Sequence, residues 1–438
     1  MPQYSVFWVV NGLKPRLKMK CCAAKILGEF KVCQKIANFV ATNQNRNLPP
    51  MYPKITVSKH KLASIHRFHP WIFSGAIAAT EGKPLNGSVV SVCDPQNRVL
   101  ATGHYSTQGS IAVRVLAFAE VEINTDFWVK KIENALKLRQ NYVVNEQTNC
   151  FRLIHGEGDG LSGLVVDIYH KTAIIQAHSA GMHHAQADIS AALQLVMGDG
   201  LDTIYYKTLG SLPAELAENK FLLGDAEHCI VLENGLKFEV NWVSGQKTGF
   251  FIDQRNNRQL LASYSKNKRV LNTFCYTGGF SVYALQAGAE LVCSVDSSQS
   301  ATKLTTQNVA LNGDFENHTS VCADVFDFLN QNKDEYDTIV LDPPAFAKNL
   351  KARHNAVQAY KRLNALAMRQ ICAGGVLFTF SCSQVVDTEL FYHTICAAAL
   401  EAGRGIRVLH RISQPVDHPV NIFHAEGSYL KGLVLLVE

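Results

Sequence analysis

The rhythm of apolar and polar positions divides the chain beyond residue 50 into three stretches. From Lys54 to about Glu122, short runs with β character are separated by turn signals. Ser88–Val92 is followed by Asp94–Pro95, and Ile111–Leu116 alternates apolar with polar positions. A period of two marks strands with one buried face, so this stretch predicts a small β-barrel. The second stretch mixes both rhythms. A helix capped at Asp126 puts Trp128, Ile132, Ala135 and Leu136 on one stripe, and strands follow at Leu164–Asp167 and Ala173–Ala177. A helix through about Ala185–Val196 and strands near Thr203–Lys207 and Leu236–Val240 complete an α+β pattern. Gly156–Gly163 reads as a turn within it, because it lacks a P-loop lysine and its acids would repel phosphate.

From about Val243 strands alternate with helices. Arg269–Phe274, Leu291–Val295, Thr338–Leu341 and Val376–Phe380 read as strands. Phe280–Ala287, Ala301–Leu311, Asn355–Cys372 (closed by Gly374–Gly375) and Glu389–Ala402 read as helices. Short apolar strands between helices predict a parallel sheet buried on both faces, with ligands beyond the carboxyl ends of its strands. The expected fold class is α/β. A Rossmann-like domain at 242–438 follows a small β-barrel at 51–124 and a central α+β domain at 125–241.

Composition changes this picture little. Of 438 residues, 47% are hydrophobic and 18% charged, enough for large cores and unlike a disordered chain. The longest apolar stretches, such as Val6–Val10 and Leu433–Val437, are too short to cross a bilayer, so no membrane partner is expected. The net charge of +5 belongs to residues 1–50, which hold eight basic residues against Glu29. The remainder keeps 34 of the 42 Lys and Arg against 36 of the 37 acids. RNA binding must therefore rest on local patches. Residues 1–50 could be a transit peptide or a disordered basic arm. We read them instead as a dispensable or mis-assigned extension, because structured sequence begins directly after Met51. Twelve cysteines contain no CxxC pair and follow no secretory signal, which predicts reduced thiols in a cytoplasm and no metal site.

One patch lies at the opening of the first domain. Lys54, Lys59, Lys61 and Arg67 stand with His60, His66 and His69, no acid precedes Glu81, and Trp71 and Phe73 sit beside them. Basic and aromatic groups together suit RNA; a solvated edge with two core aromatics is the alternative. The chemistry gathers later. The strand ending at Phe274 runs into Cys275–Tyr276–Thr277–Gly278–Gly279, where glycines allow a tight turn at a helix N-terminus. The next strand ends at Asp296, where an acid can accept hydrogen bonds from ribose hydroxyls. The pair implies an adenosine-type cofactor bound by Phe274, Tyr276, Gly278 and Asp296. NAD is disfavoured because the loop reads YTGGFS rather than GxGxxG. Asp324 could meet an adenine amino group or simply cap a helix.

Asp342–Pro343–Pro344–Ala345–Phe346 ends the fourth strand. Its prolines make a rigid mount for an acid that recognises a planar base, and Phe346 could stack on that base. Cys382, in Ser381–Cys382–Ser383, emerges from the next strand. A thiol there suits a pyrimidine C5, which is a poor nucleophile until a thiolate adds at C6.

These motifs resemble the class I S-adenosylmethionine-dependent methyltransferases that make 5-methylcytosine in bacterial large-subunit ribosomal RNA. The resemblance spans Met51 to Glu438. Its landmarks are HPWIFSGAI (69–77), KTGFFIDQR (247–255), VLNTFCYTGGFS (270–281), SVD (294–296), LDPPAF (341–346), FSCS (380–383) and EGSYLKG (426–432). It implies an RNA-binding PUA domain at the start and a catalytic Rossmann-like domain at the end. Cys382 is then the nucleophile beside Asp342, Asp296 and Asp324 hold the cofactor, and Gln254 and Arg255 lie near the site, with Arg255 expected among the cofactor-binding residues. It leaves room for a homodimer paired through the β-rich domain. One departure counts against the product: another group of RNA 5-methylcytosine enzymes has a second cysteine where this chain has Ala345. Methylation of a guanine nitrogen, which needs no cysteine, and a non-catalytic ribosome-assembly factor are the alternatives.

Overall fold

The computed structural model describes residues 52–347 and 349–438, so the extension at 1–50 lies outside the described residues. The first sheet has six strands: β1 (Lys54–Val57), β2 (Trp71–Phe73), β3 (Ile77–Glu81), β4 (Val89–Cys93), β5 (Val99–Tyr105) and β6 (Ile111–Ala117). They run in the order β2-β6-β5-β4-β1-β3, antiparallel except for β1 with β4. The short helix α1 (Leu62–His66) joins β1 to β2 and adds Ile65 to a core of Ile55, Ile72, Val90, Val92 and Val113.

The second sheet, in the order β11-β10-β9-β8-β7, holds β7 (Cys150–His155), β8 (Leu164–Tyr169), β9 (Thr172–Ala177), β10 (Thr203–Lys207) and β11 (Asn219–Leu223). Helices α2 (Thr125–Tyr142), α3 (Ala180–His184) and α4 (Gln186–Met197) belong to the same stretch. Trp128 and Ile132 of α2 pack with Ile189 and Leu193 of α4 over Leu153 and Val166 of this sheet. The cap of α2 is Asn124, not the expected Asp126: the Asn124 side chain accepts from Phe127 N at 3.1 Å, and Asp126 lies in the first turn. Gly156–Gly163 is the expected turn, but its acids are used. Asp159 pairs with the buried Arg139, and Glu157 accepts from the Trp71 indole at 2.8 Å, tying the first sheet to the second. A hairpin, β12 (His228–Glu233) and β13 (Leu236–Asn241), follows. Its turn at Asn234–Gly235 has both φ angles positive, as a tight two-residue hairpin turn requires.

The third sheet holds β14 (Arg269–Thr273), β15 (Leu291–Asp296), β16 (His318–Cys322), β17 (Tyr336–Leu341), β18 (Ile371–Ser381), β19 (Ile406–Ser413) and β20 (Lys431–Val437). The order is β16-β15-β14-β17-β18-β20-β19, parallel through β18, with the last two strands antiparallel. Its helices are α5 (Arg255–Ala262), α6 (Gly279–Gln286), α7 (Gln299–Ala310), α8 (Val325–Gln331), α9 (Arg353–Gln370) and α10 (Thr388–Ala402). Two large apolar clusters contain residues of its strands, one with α6 and the β12–β13 hairpin, the other with α9 and α10. The long helix stops at Gln370 rather than Cys372. Gly374–Gly375 lie inside β18, at an irregularity where Gly374 takes φ +79°. The strand order reverses between β14 and β17, the place beyond whose carboxyl ends parallel sheets of this kind bind their ligands. Among the described residues no helix is long and apolar enough to cross a membrane.

Candidate active site

The loop after β14 has an unusual backbone. Phe274, Tyr276 and Gly278 all take positive φ (+53°, +47° and +75°), a region that costs a non-glycine residue energy and clusters at ligand sites. Several contacts hold the shape. Asp296, at the end of β15, accepts from Tyr276 N at 3.0 Å through one oxygen and from Ser298 N at 2.9 Å through the other. From α7, Thr305 donates to the Tyr276 carbonyl and Asn308 to that of Thr277. A Cβ on Gly278 would sit 2.6 Å from Thr305 Cγ2, so glycine is required by both angle and space. The Tyr276 hydroxyl reaches back to the Gly249 carbonyl at 3.0 Å. Asp296 and Phe274 remain partly accessible. A partly open carboxylate beside a glycine turn at a helix N-terminus fits a ribose and the charged end of an adenosyl amino acid. Asp324, at the third strand's exit, caps α8 by accepting from Phe326 N and Asp327 N, both through Oδ1. Its second oxygen takes part in neither bond.

Across the strand reversal, Asp342 leaves β17 and Cys382 leaves the adjacent β18. Both are partly accessible. Asp342 Oδ1 accepts from Gln254 Nε2 at 3.0 Å, and Gln254 in turn accepts from Asn257 at 2.6 Å. Although some of its surface reaches solvent, crowding strips enough water from Asp342 to push its carboxyl up to about 7, helped by the negative charge of Asp253. Asp253 goes the other way. Burial opposes its charge, but His418, Lys247, the Tyr429 hydroxyl at 2.6 Å and Arg152 outweigh burial and hold it below the usual range. Two carboxylates in one site are thus driven apart, the separation by which acid and base roles are divided. Burial, then Asp342, raises the Cys382 thiol, while Lys247 and Lys431 act against the rise. Phe346 packs against Tyr360 with ring centroids 4.7 Å apart, Pro343 is buried and Pro344 is exposed.

Arg255 is placed differently from the rest. Its guanidinium is buried among Asp417, Glu233 and the Cys150 carbonyl, on the side of the second sheet and the hairpin, and these contacts account for it without a cofactor. Arg258, one turn later, pairs with Glu233 through two 2.7 Å bonds and lies against the glycine turn, where a Gly279 Cβ would meet it at 2.9 Å. Sequence reasoning did not single out Asp253, Lys247, Tyr429 or Lys431. They lie in the stretches 247–255 and 426–432, far from the Rossmann motifs, and only folding brings them to Asp342 and Cys382. Among the described residues no cluster of His, Cys, Asp and Glu is arranged to hold a metal ion.

A parallel sheet with this strand reversal, a glycine turn and an acid closing the second strand makes a Rossmann-like site for an adenosine-type cofactor. Residues 217–431 match the family described as S-adenosylmethionine-dependent methyltransferase, and residues 55–118 match a PUA-like domain. The ribosomal RNA large subunit methyltransferase I of Klebsiella pneumoniae (strain 342) is 37% identical over 407 residues, covering 88% of this chain and 99% of its own. That of Erwinia tasmaniensis is 38% identical over 399 residues, covering 88% and 100%. The chain belongs to this family, and its cofactor is S-adenosylmethionine. The crystallised putative methyltransferase of Streptococcus mutans shares the fold, with a TM-score of 0.76 at 24% identity over 88% of this chain and 100% of its own.

Proposed function

We propose that this protein methylates cytosine C5 in large-subunit ribosomal RNA through a covalent adduct of Cys382 at C6. The observation that carries the reading is the pair at the sheet's reversal, a partly accessible thiol and a carboxyl held near neutrality on adjacent strands. The Cys382 thiolate forms the S–C6 bond, while Asp342, still protonated near pH 7, gives its proton to N3 and stabilises the electron-rich ring. The cofactor's sulfonium supplies the methyl group that C5 then takes. Asp253, kept ionised, is the carboxylate suited to remove the C5 proton; the electron pair of that C–H bond restores the C5–C6 double bond and expels the Cys382 thiolate, while N3 returns its proton to the Asp342 carboxylate. That supplies the release step for which Ala345 offers no thiol. Phe274, Tyr276, Gly278, Asp296 and the free oxygen of Asp324 hold the cofactor, and Pro343, Pro344 and Phe346 brace the base site.

RNA is recognised first on the β-rich domain. Lys59, Lys61, Arg67, Phe68 and Phe73 are exposed there, a combination suited to phosphate and to stacking bases. Trp71 is not part of that surface, because its indole donates to Glu157 and Ser162. The relatives' name supports the ribosomal substrate, and such a substrate puts the protein in the cytoplasm. The deciding measurement is transfer of tritiated methyl to unmodified ribosomal RNA by Cys382→Ser. A loss of about a thousandfold or more is expected. Undiminished transfer would instead point to a nitrogen target such as guanine.

A further inference from the structure

Lys431 opens β20 directly across the antiparallel ladder from Ser381, the residue before Cys382. Its side chain is only 6% exposed. The amine donates to the Ser383 carbonyl at 2.7 Å and to the Val386 carbonyl at 2.7 Å, both in the turn that follows Cys382. A third bond, from the Ser383 hydroxyl to the Ala347 carbonyl at 2.7 Å, ties that turn to the segment after Asp342. A buried ammonium is costly unless something uses its charge. No carboxylate forms an ion pair with this one among the described residues; carbonyls hold it, and of the acidic groups around it the Cys382 thiol acts on the amine more strongly than Asp387 does.

We propose that Lys431 is the positioning residue of the nucleophile: its amine fixes the backbone turn that presents Cys382 and adds, beside Lys247, a positive charge that favours the thiolate. The inference rests on Cys382 being the nucleophile, and deepens that reading by naming what makes the thiol usable. Burial and two carboxylates work against a thiolate here, and cations are the recognised way to lower a thiol's pKa. Burial also lowers the Lys431 amine to about 8, so its charge is present at neutral pH and lost on the alkaline side. A neutral amine keeps two hydrogens, enough for both carbonyls, so the clamp outlasts the charge.

The test reads Cys382 directly, by mass spectrometry of its peptide after timed iodoacetamide alkylation of the full chain across pH. Lys431→Met is expected to slow alkylation near pH 7.5 by about tenfold, the effect of one pKa unit on thiolate fraction. Methyl transfer should fall similarly in kcat, with KM for S-adenosylmethionine unchanged. Lys431→Arg, which keeps the charge, should restore the pH profile. Should Lys431→Met fail to fold, Lys431→Gln retains a donor without the charge and carries the same readout. An alkylation profile identical to wild type in either neutral variant would overturn the proposal, as would failure of both to fold, which would make the amine purely structural. Full methyl transfer by Cys382→Ser would overturn the parent reading and the catalytic use of Lys431. The alkylation profile separately decides whether the amine acts on the thiol.

Discussion

A carboxyl pushed to about 7 binds its proton more tightly in the folded chain than in the unfolded one. For Asp342 the consequence for stability is a loss as pH rises from the ordinary carboxyl range toward 7, because ionising it is harder in place than in solution. Asp342→Asn is therefore expected to raise the thermal midpoint at pH 8, a gain of up to a few kcal/mol, while cutting methyl transfer about a hundredfold. Increased stability with lost activity is the signature to look for in paired calorimetry and rate measurements. Loss of both would make the carboxylate a structural group. Wild-type activity should follow a bell in pH: rising as Cys382 ionises, falling as Asp342 gives up its proton. The Asn variant should lack the falling limb.

Two elements carry most of the cost of building the site. The loop 274–279 stores three positive-φ residues, paid back by contacts from Asp296, Thr305 and Asn308. Gly278→Ala would meet both an unfavourable angle and the wall of Thr305, and should cost about 1–3 kcal/mol with a steep drop in affinity for S-adenosylhomocysteine by titration calorimetry. An unchanged affinity would mean the loop does not hold the cofactor. The second element is the hairpin β12–β13, whose Glu233 is fully buried against Arg255 and Arg258. Glu233→Gln strands the Arg258 guanidinium, while Arg255 keeps Asp417, and should cost about 3–5 kcal/mol in denaturant unfolding. Because Arg258 lies against the glycine turn, cofactor affinity should fall with it.

Over the whole molecule, burial keeps several bases neutral. His104, His178 and His318 are each lowered to about 4, first by desolvation. In the window from about 6.5 down to 4 the unfolded chain binds these protons and the folded one does not, so stability falls on acidification. Asp417 and Asp253, held low chiefly by cations acting against burial, add to the loss as pH drops further. Each histidine contributes up to about 1.4 kcal/mol per pH unit in its window. Together they outweigh the opposite trend of Asp342. The melting temperature should therefore decline markedly between about pH 7 and 4; a flat profile would mean the histidines are solvated. Asp417 also joins the sheets: Arg139 donates to its carbonyl, while Arg255 and the Arg152 N–H meet its carboxylate. Acid should consequently loosen the sheets together.

The fold was legible because periodicity is local. Strands of the third sheet, their glycine turn and the acids at their ends each follow from a few neighbouring residues, and Cys382 and Asp342 stand at the edge that topology reserves for ligands. Short or exposed elements escaped: β16 and β19 bury little of their surface and so show no strong period, and α5 is a short helix of mainly polar residues, two of them arginines buried in ion pairs. Helix ends shifted where glycine served a bulge instead of a cap. What no local pattern could supply is the surroundings of the thiol and carboxyl. Lys431, Asp253, Tyr429 and Glu233 act through charge and desolvation across long sequence separations, and such energies depend on distance and on excluded water, which exist only once the chain is packed. The residue types at the sheet edge were determined by sequence; their protonation, and Arg255's burial away from the cofactor loop, were decided by tertiary structure.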